Sequence, residues 1–230
     1  MKAKSLLILI HCCILSHTLS AQNNGLIRFY ENAKVGYKNA AGAVIVAAEY
    51  YAGSEFINGF AIVVKDNLRG YLNEKGVLQI PLMFRDANPF YNGYASVKFG
   101  NQYGFIDTLG NWKIDPMYDE LYSVTEDRIL VKKKGKYGFL NPQLKEVIAP
   151  IYDDASQFSD GLAVVKAGKK MFYINKDGKI AIGKFFEEAG QFYKGEAIVT
   201  KDKERYVINK RGKILRKDAN PEEREERENH

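Results

Sequence analysis

Residues 136–166 read KYGFLNPQLKEVIAPIYDDASQFSDGLAVVK, and the phrase returns along nearly the whole chain at a spacing of 34 residues. Its Gly-aromatic pair stands at Gly36-Tyr37, Gly70-Tyr71, Gly104-Phe105 and Gly138-Phe139, and the same phase then holds Phe172-Tyr173 and Tyr206-Val207. A fixed period of this size marks a repeat array, in which each unit buries its apolar face against a neighbour.

Each unit divides into three strand signals and a connector. Three residues after the Gly stands Asn39, Asn73, Asp107, Asn141, Asn175 or Asn209. Three further on stands Gly42, Gly76, Gly110, Gly178 or Gly212. Asn or Asp opens a type I turn, and Gly at its end takes the left-handed conformation of a G1 bulge, so N-x-x-G predicts a hairpin. In the fourth unit Leu144 replaces that Gly, which predicts a shifted turn. The second strand is expected to stop near Pro81, Pro116 or Pro150, because proline cannot donate to a ladder.

An aromatic residue follows at one phase, as Tyr50, Phe84, Tyr118, Tyr152 and Phe186, then acids, then a second aromatic, Phe56, Phe90, Phe158 or Phe192. These connectors leave room for one helical turn. The third strand alternates, with Ala61 and Val63, Ala95 and Val97, Ile129 and Val131, Ala163 and Val165, and Ala197 and Val199 on its buried face. The third unit departs: Val124 stands where the second aromatic is expected, and Asp127 where a Gly opens the strand.

The expected fold is all-β, with three-stranded antiparallel meanders near 25–46, 59–80, 93–114, 127–148, 161–182 and 195–216 in an open, twisted stack. The alternative is a small six-bladed propeller, although a unit of this length is short for a blade. Gly36, Gly70, Gly104 and Gly138, with the first connector aromatics, are expected to be structural.

The flanks differ from the array. Lys2 and Lys4, an apolar run from Ser5 to Leu15 and the small residues before Gln22 predict a secretory signal peptide over 1–21, cut after Ala21. Its removal takes Cys12, Cys13, His11 and His17, and leaves His230 as the last histidine. A chain so depleted has no Cys-His or Ser-His nucleophile pair and no Cys/His metal site. No other apolar run is long enough to cross a membrane. Residues 217–230 are charged, hold Pro221 and predict a disordered tail.

The Gly-Phe-Leu-Asn, Ile-Ala-Pro-Ile-Tyr-Asp-Asp-Ala and Phe-Ser-Asp-Gly-Leu-Ala-Val-Val-Lys segments resemble the bacterial WG repeat, also called the KWG repeat. The resemblance covers about residues 25–215. The Trp that names the family is replaced by Val35, Arg69, Tyr103, Tyr137, Met171 and Arg205. It implies a β-rich repeat protein, often exported, and carries over no catalytic residue and no cofactor.

For function, the sequence points to a non-enzymatic, exported protein, periplasmic, cell-surface or secreted, that presents an extended surface to a protein or cell-envelope partner. The alternative is a carbohydrate-binding module. Its ligand residues would be the irregular aromatics Tyr91, Tyr94, Tyr122 and Tyr193, since rings stack on sugar faces. Lys98, Lys132 and Lys166 share a phase and could form a ridge for anionic polymers, though lysines on strands also block edge pairing. The connector acids recur once per unit, which suits capping or solvent contact better than a glycosidase pair or a calcium loop. The full chain carries +6 but shows no nucleic-acid recognition motif.

Overall fold

A computed structural model describes residues 25–218. The chain is all-β, with six antiparallel sheets in tandem, each a meander in chain order. The first sheet comprises Ile27–Glu31, Lys34–Lys38 and Val44–Tyr50. The second comprises Ala52–Gly53, Phe60–Lys65, Leu68–Asn73 and Leu78–Phe84. The third holds Asp86–Ala87, Tyr94–Phe99, Gln102–Asp107 and Trp112–Tyr118. The fourth holds Glu120–Thr125, Arg128–Lys133, Lys136–Leu140 and Glu146–Tyr152. The fifth consists of Asp154–Ala155, Leu162–Ala167 and Lys170–Asn175. The sixth consists of Glu188–Ala189, Glu196–Lys201, Glu204–Asn209 and Ile214–Lys217. The predicted signal peptide lies outside the described residues, as does most of the charged tail.

Several details correct the sequence expectations. Four sheets have four strands rather than three, because the connector adds a short strand to the next sheet instead of a helical turn. The fourth-unit turn is not shifted: the Leu144 N–H donates to the Asn141 carbonyl at 2.9 Å, as Gly178 does to Asn175. Leu144 takes φ 61 to do so. Asn141 Oδ1 accepts the N–H groups of Gln143 and Lys145 at 3.0 and 2.9 Å, and this clamp holds the turn without its Gly. At the other end, the array runs past Arg216. Lys217 closes the last strand, and Asp218 is buried against Arg205 at 2.9 Å.

The strands expected to stop at proline run through it. Tyr137 pairs with Tyr152 and Phe139 with Ile148, so the second strand carries two extra residues opposite Gly138. Pro150 sits in that bulge, where no ladder bond is asked of it. The bulged backbone folds down onto the glycine: a Cβ at Gly138 would lie 2.6 Å from the Ile148 carbonyl oxygen and 2.6 Å from Pro150 N. Gly36, Gly70 and Gly104 meet Val46, Ile80 and Ile114 in the same way, at 2.6, 2.6 and 2.7 Å. These glycines are needed for close approach, not for a left-handed backbone. Where Phe172 takes the position, residues 179–186 form only isolated bridges, Ile174 to Ile180 and Met171 to Phe186, and the expected strand at 179–182 is absent.

The core lies between consecutive sheets. Five buried clusters occupy the five junctions; Leu130, Phe139, Ile148 and Tyr152 of the fourth sheet, for example, meet Ala163, Val165 and Ile174 of the fifth. The first connector aromatics, Tyr50, Phe84, Tyr118, Tyr152 and Phe186, are all buried there.

The two ends of the array are closed off by charge. Leu72, Ile106, Leu140, Ile174 and Ile208 face the preceding sheet, and the first sheet has Lys38 at that phase. Val46, Ile80, Ile114, Ile148 and Ile182 face the following sheet, and the last has Arg216, paired with Glu196 at 2.6 Å. Ile27 and Ile198, whose counterparts in the interior units pack in junctions, are 48% and 41% exposed. Among the described residues no buried cluster joins the first and sixth sheets, and both end faces are exposed. The array is open, with polar caps of the kind repeat proteins need at their ends.

Candidate functional site

In four junctions a connector ring fills the space between sheets. Phe56 packs on Tyr37, Phe90 on Tyr71, Phe158 on Phe139 and Phe192 on Tyr173, with ring centroids 5.4, 4.9, 4.9 and 4.8 Å apart. Where the underlying ring is tyrosine, its hydroxyl also holds the connector, donating to the carbonyl of Ser54, Asn88 or Gly190 at 2.8, 2.8 and 2.7 Å.

The junction between the third and fourth sheets lacks this ring. Its connector runs as the six-residue strand Glu120–Thr125, against two residues in the other connectors, and Val124 is exposed. Phe105, the counterpart of Tyr71 and Phe139, has Tyr94 edge-on at 5.6 Å. Beside it opens a cleft of about 520 Å³, within the range of small-ligand sites. Tyr91, Tyr94, Phe105 and Tyr122 supply rings, Leu121, Val124 and Ile129 supply aliphatic walls, and Asn88, Ser96 and Ser123 supply polar groups. No lining side chain is charged.

The structure thus brings Tyr91, Tyr94 and Tyr122 to one cleft and leaves Tyr193 in the connector before the sixth sheet. Tyr91 and Tyr122 are 57% and 36% exposed, and Tyr193 is 71% exposed. Tyr94 is not the exposed ring the sequence suggested. It is 7% exposed, because it occupies the inward phase of Phe60 and Leu162, and its hydroxyl is buried without a hydrogen-bond partner. The same ring borders a second opening, lined by Ile114 and the Pro142–Leu144 turn. The Tyr122 hydroxyl donates to Glu120 Oε2 at 2.6 Å, and that bond raises its pKa. Asn88, Ser96, Phe105 and Leu121 were not singled out in the sequence; the signal that leads to them is the Val124 departure.

The in-phase lysines do not form a free ridge. Lys98, Lys132 and Lys166 lie across the ladder from Asp86, Glu120 and Asp154. Lys132 Nζ bonds Glu120 Oε1 at 2.8 Å and stands 5.0 Å over the Tyr137 ring, while Lys98 stands 5.0 Å over Tyr103. Of the three, Lys132 is ion-paired with its cross-strand acid, whereas Asp86 pairs instead with Arg69 at 3.6 Å. Among the described residues, no group of three or more His, Cys, Asp or Glu is placed to hold a metal ion, and no helix is long and apolar enough to cross a membrane.

Hydrogen bonds hold several acids below their usual range: Lys132 on Glu120, Lys136 on Asp153, Arg216 on Glu196 and the Asn111 N–H on Asp107. A carboxylate whose folded pKa is depressed adds stability above its unfolded pKa and loses it as pH falls through the folded one. Thermal unfolding should be flat from pH 8 to 5 and its midpoint should drop below about pH 4. A midpoint unchanged to pH 2 would show that these contacts add nothing.

An open stack of antiparallel sheets with a ligand-sized cleft at one junction defines a β-repeat protein. Its sequence matches the WG-containing repeat at residues 36–68, 70–103, 103–137, 137–170 and 171–204. The chain belongs to the WG-repeat family. A comparison with curated proteins finds no match. Among solved structures, it is similar to the β-propeller protein Hsv2 of Kluyveromyces lactis, at 8% identity and a TM-score of 0.42, over 82% of this chain and 71% of that one. It is also similar to PorZ, described as a surface component of the type-IX secretion system of Porphyromonas gingivalis. That likeness has 11% identity and a TM-score of 0.37, over 85% of this chain and 31% of that one. At these scores neither likeness bears on whether the array closes; the exposed end faces, with no buried cluster between the first and sixth sheets, do.

Proposed function

We propose that this chain is an exported, non-enzymatic binding protein whose ligand site is the cleft between the third and fourth sheets, and that its partner is a protein or another cell-envelope component. One observation carries this: at a single junction the connector phenylalanine present at the other four is missing, Tyr94 covers Phe105 instead, and a ring-lined cleft opens beside them. A uniform stack needs no such gap for stability, and the uncharged, ring-lined walls suit an uncharged ligand. The acids that a hydrolase would use are engaged in lysine pairs and backbone caps. A carbohydrate ligand is the second possibility, favoured by the exposed Tyr91 and Tyr122 rings at an aromatic cleft.

Capture from the cell-envelope extract of the source cells tests this, with protein and glycan fractions analysed separately. The wild-type chain should enrich one component, and Tyr122→Ala should lose it. Equal capture by both variants would remove the cleft from the function. Hydrolysis of a glycan that is lost on Asp153→Asn would replace binding with catalysis. Export predicts that the protein recovered from the cells begins at Gln22.

A further inference from the structure

Two arginines depart from the chemistry of the repeat. At the residue after the first connector aromatic the chain reads Tyr51, Arg85, Asp119, Asp153 and Glu187. Asp119 and Asp153 accept the N–H groups of Gly135 and Gly168, at the hairpin tips of their own sheets, at 2.9 and 2.6 Å. Arg85 cannot accept such a bond, and its guanidinium reaches the tip of its sheet only at 3.4 Å, on Asn101 Oδ1. At the residue before the Gly-aromatic glycine, Val35, Tyr103 and Tyr137 are uncharged, as is Met171 at the same phase, and Arg205 is matched by the buried Asp218. Arg69 takes that phase in the second sheet. Its Nε stands 3.6 Å from Asp86, and its Nη1 donates to the Arg85 carbonyl.

Both side chains line an opening of about 650 Å³ on the second sheet, at the start of the connector to the third. Tyr51, 74% exposed, supplies a ring, Val64 and Leu68 supply aliphatic wall, and Asn67 supplies an amide. No carboxylate lines it: Asp66, beside Asn67 at the hairpin tip, does not, and Glu49 is held by Lys65 at 2.6 Å. Among the described residues, Arg85 has no acid within ion-pair distance. Asp86 orients Arg69 but lies across the ladder from Lys98, so one acid faces three cations. Charge of one sign at an apolar-walled opening focuses its field there and concentrates anions.

We propose that this opening is a second ligand site, separate from the cleft, for a small phosphate ester. Its phosphoryl group is held between Arg69 and Arg85, and its ring-bearing body lies on Tyr51. A guanidinium fork matches phosphate oxygens two at a time. The three terminal oxygens and nearly two negative charges of a phosphate ester answer two such forks, whereas a carboxylate brings two oxygens and one charge.

Isothermal titration of the full protein with phenyl phosphate, inorganic phosphate and benzoate tests this. Phenyl phosphate should bind saturably and more tightly than benzoate. Arg85→Gln, at an exposed position, should weaken it at least about tenfold, the effect of losing one charge-assisted bond. Arg211→Gln removes the same charge from an exposed turn of the sixth sheet and should leave binding unchanged. Tyr51→Ala should weaken phenyl phosphate and spare inorganic phosphate. Absence of saturable binding would overturn the proposal. So would equal weakening by Arg85→Gln and Arg211→Gln, which would show attraction to net charge alone. Benzoate binding as tightly as phenyl phosphate would overturn the phosphate assignment. Loss of binding on Tyr122→Ala, with Arg85→Gln unaffected, would move the ligand to the cleft and reject this site.

Discussion

Tyr71→Ala should lower the unfolding free energy by about 4–5 kcal/mol, the upper part of the range for removing a large buried ring. Tyr71 has no exposed surface and packs against Phe60 and Phe90 with centroids 6.4 and 4.9 Å away. Its hydroxyl also donates to the Asn88 carbonyl at 2.8 Å. Deleting the side chain opens a cavity in the junction between the second and third sheets and releases the connector that crosses it. Tyr71→Phe keeps the ring and loses the bond, so it should cost about 1 kcal/mol. The natural Phe105 and Phe139 show that the fold accepts that change at other units. Denaturant unfolding of the three proteins separates ring from hydroxyl. A Tyr71→Ala loss below about 1.5 kcal/mol, the lower bound for fully burying one large apolar side chain, would mean that the junctions are not tightly packed.

Gly138→Ala should lower stability by about 2–3 kcal/mol, although alanine ordinarily favours folding over glycine. The added Cβ would meet the Ile148 carbonyl oxygen, Pro150 N and the Ala149 carbonyl carbon at 2.6, 2.6 and 2.7 Å, and all three are backbone atoms that cannot rotate away. The strand would have to rise off the glycine and lose its bulge. Gly183→Ala is the control, because a Cβ there meets nothing within 4 Å and the backbone is not left-handed. It should change stability by less than about 0.5 kcal/mol. Equal thermal midpoints for the two variants would refute the close-approach role of the Gly-aromatic glycines.

Much of this architecture was legible before any coordinates. The period of 34 residues placed the units, and Asn73 with Gly76 placed a hairpin turn whose bonds are present, Gly76 N–H to the Asn73 carbonyl at 2.9 Å. The openness of the array was also written in the residues, since Lys38 and Arg216 break aliphatic phases at the two ends. That pattern becomes meaningful only once it is known which phase faces which neighbour.

The sequence by itself determined the repeat, the turns, the alternating strands and the depletion of histidine and cysteine, because each of these depends on residues close together along the chain. Tertiary structure decided the rest. Tyr94 looked like an irregular surface ring and is a buried wall, because burial depends on the opposing sheet and not on phase irregularity. Lys98, Lys132 and Lys166 looked like a ridge, and each stands across the ladder from an acid, with Lys132 ion-paired to Glu120, because their register partners lie twelve residues back in the connector. Val124 looked like a local lapse in the pattern. Only the packing of two sheets turns the missing ring into a cleft, since a cavity belongs to the space between elements and to none of them alone.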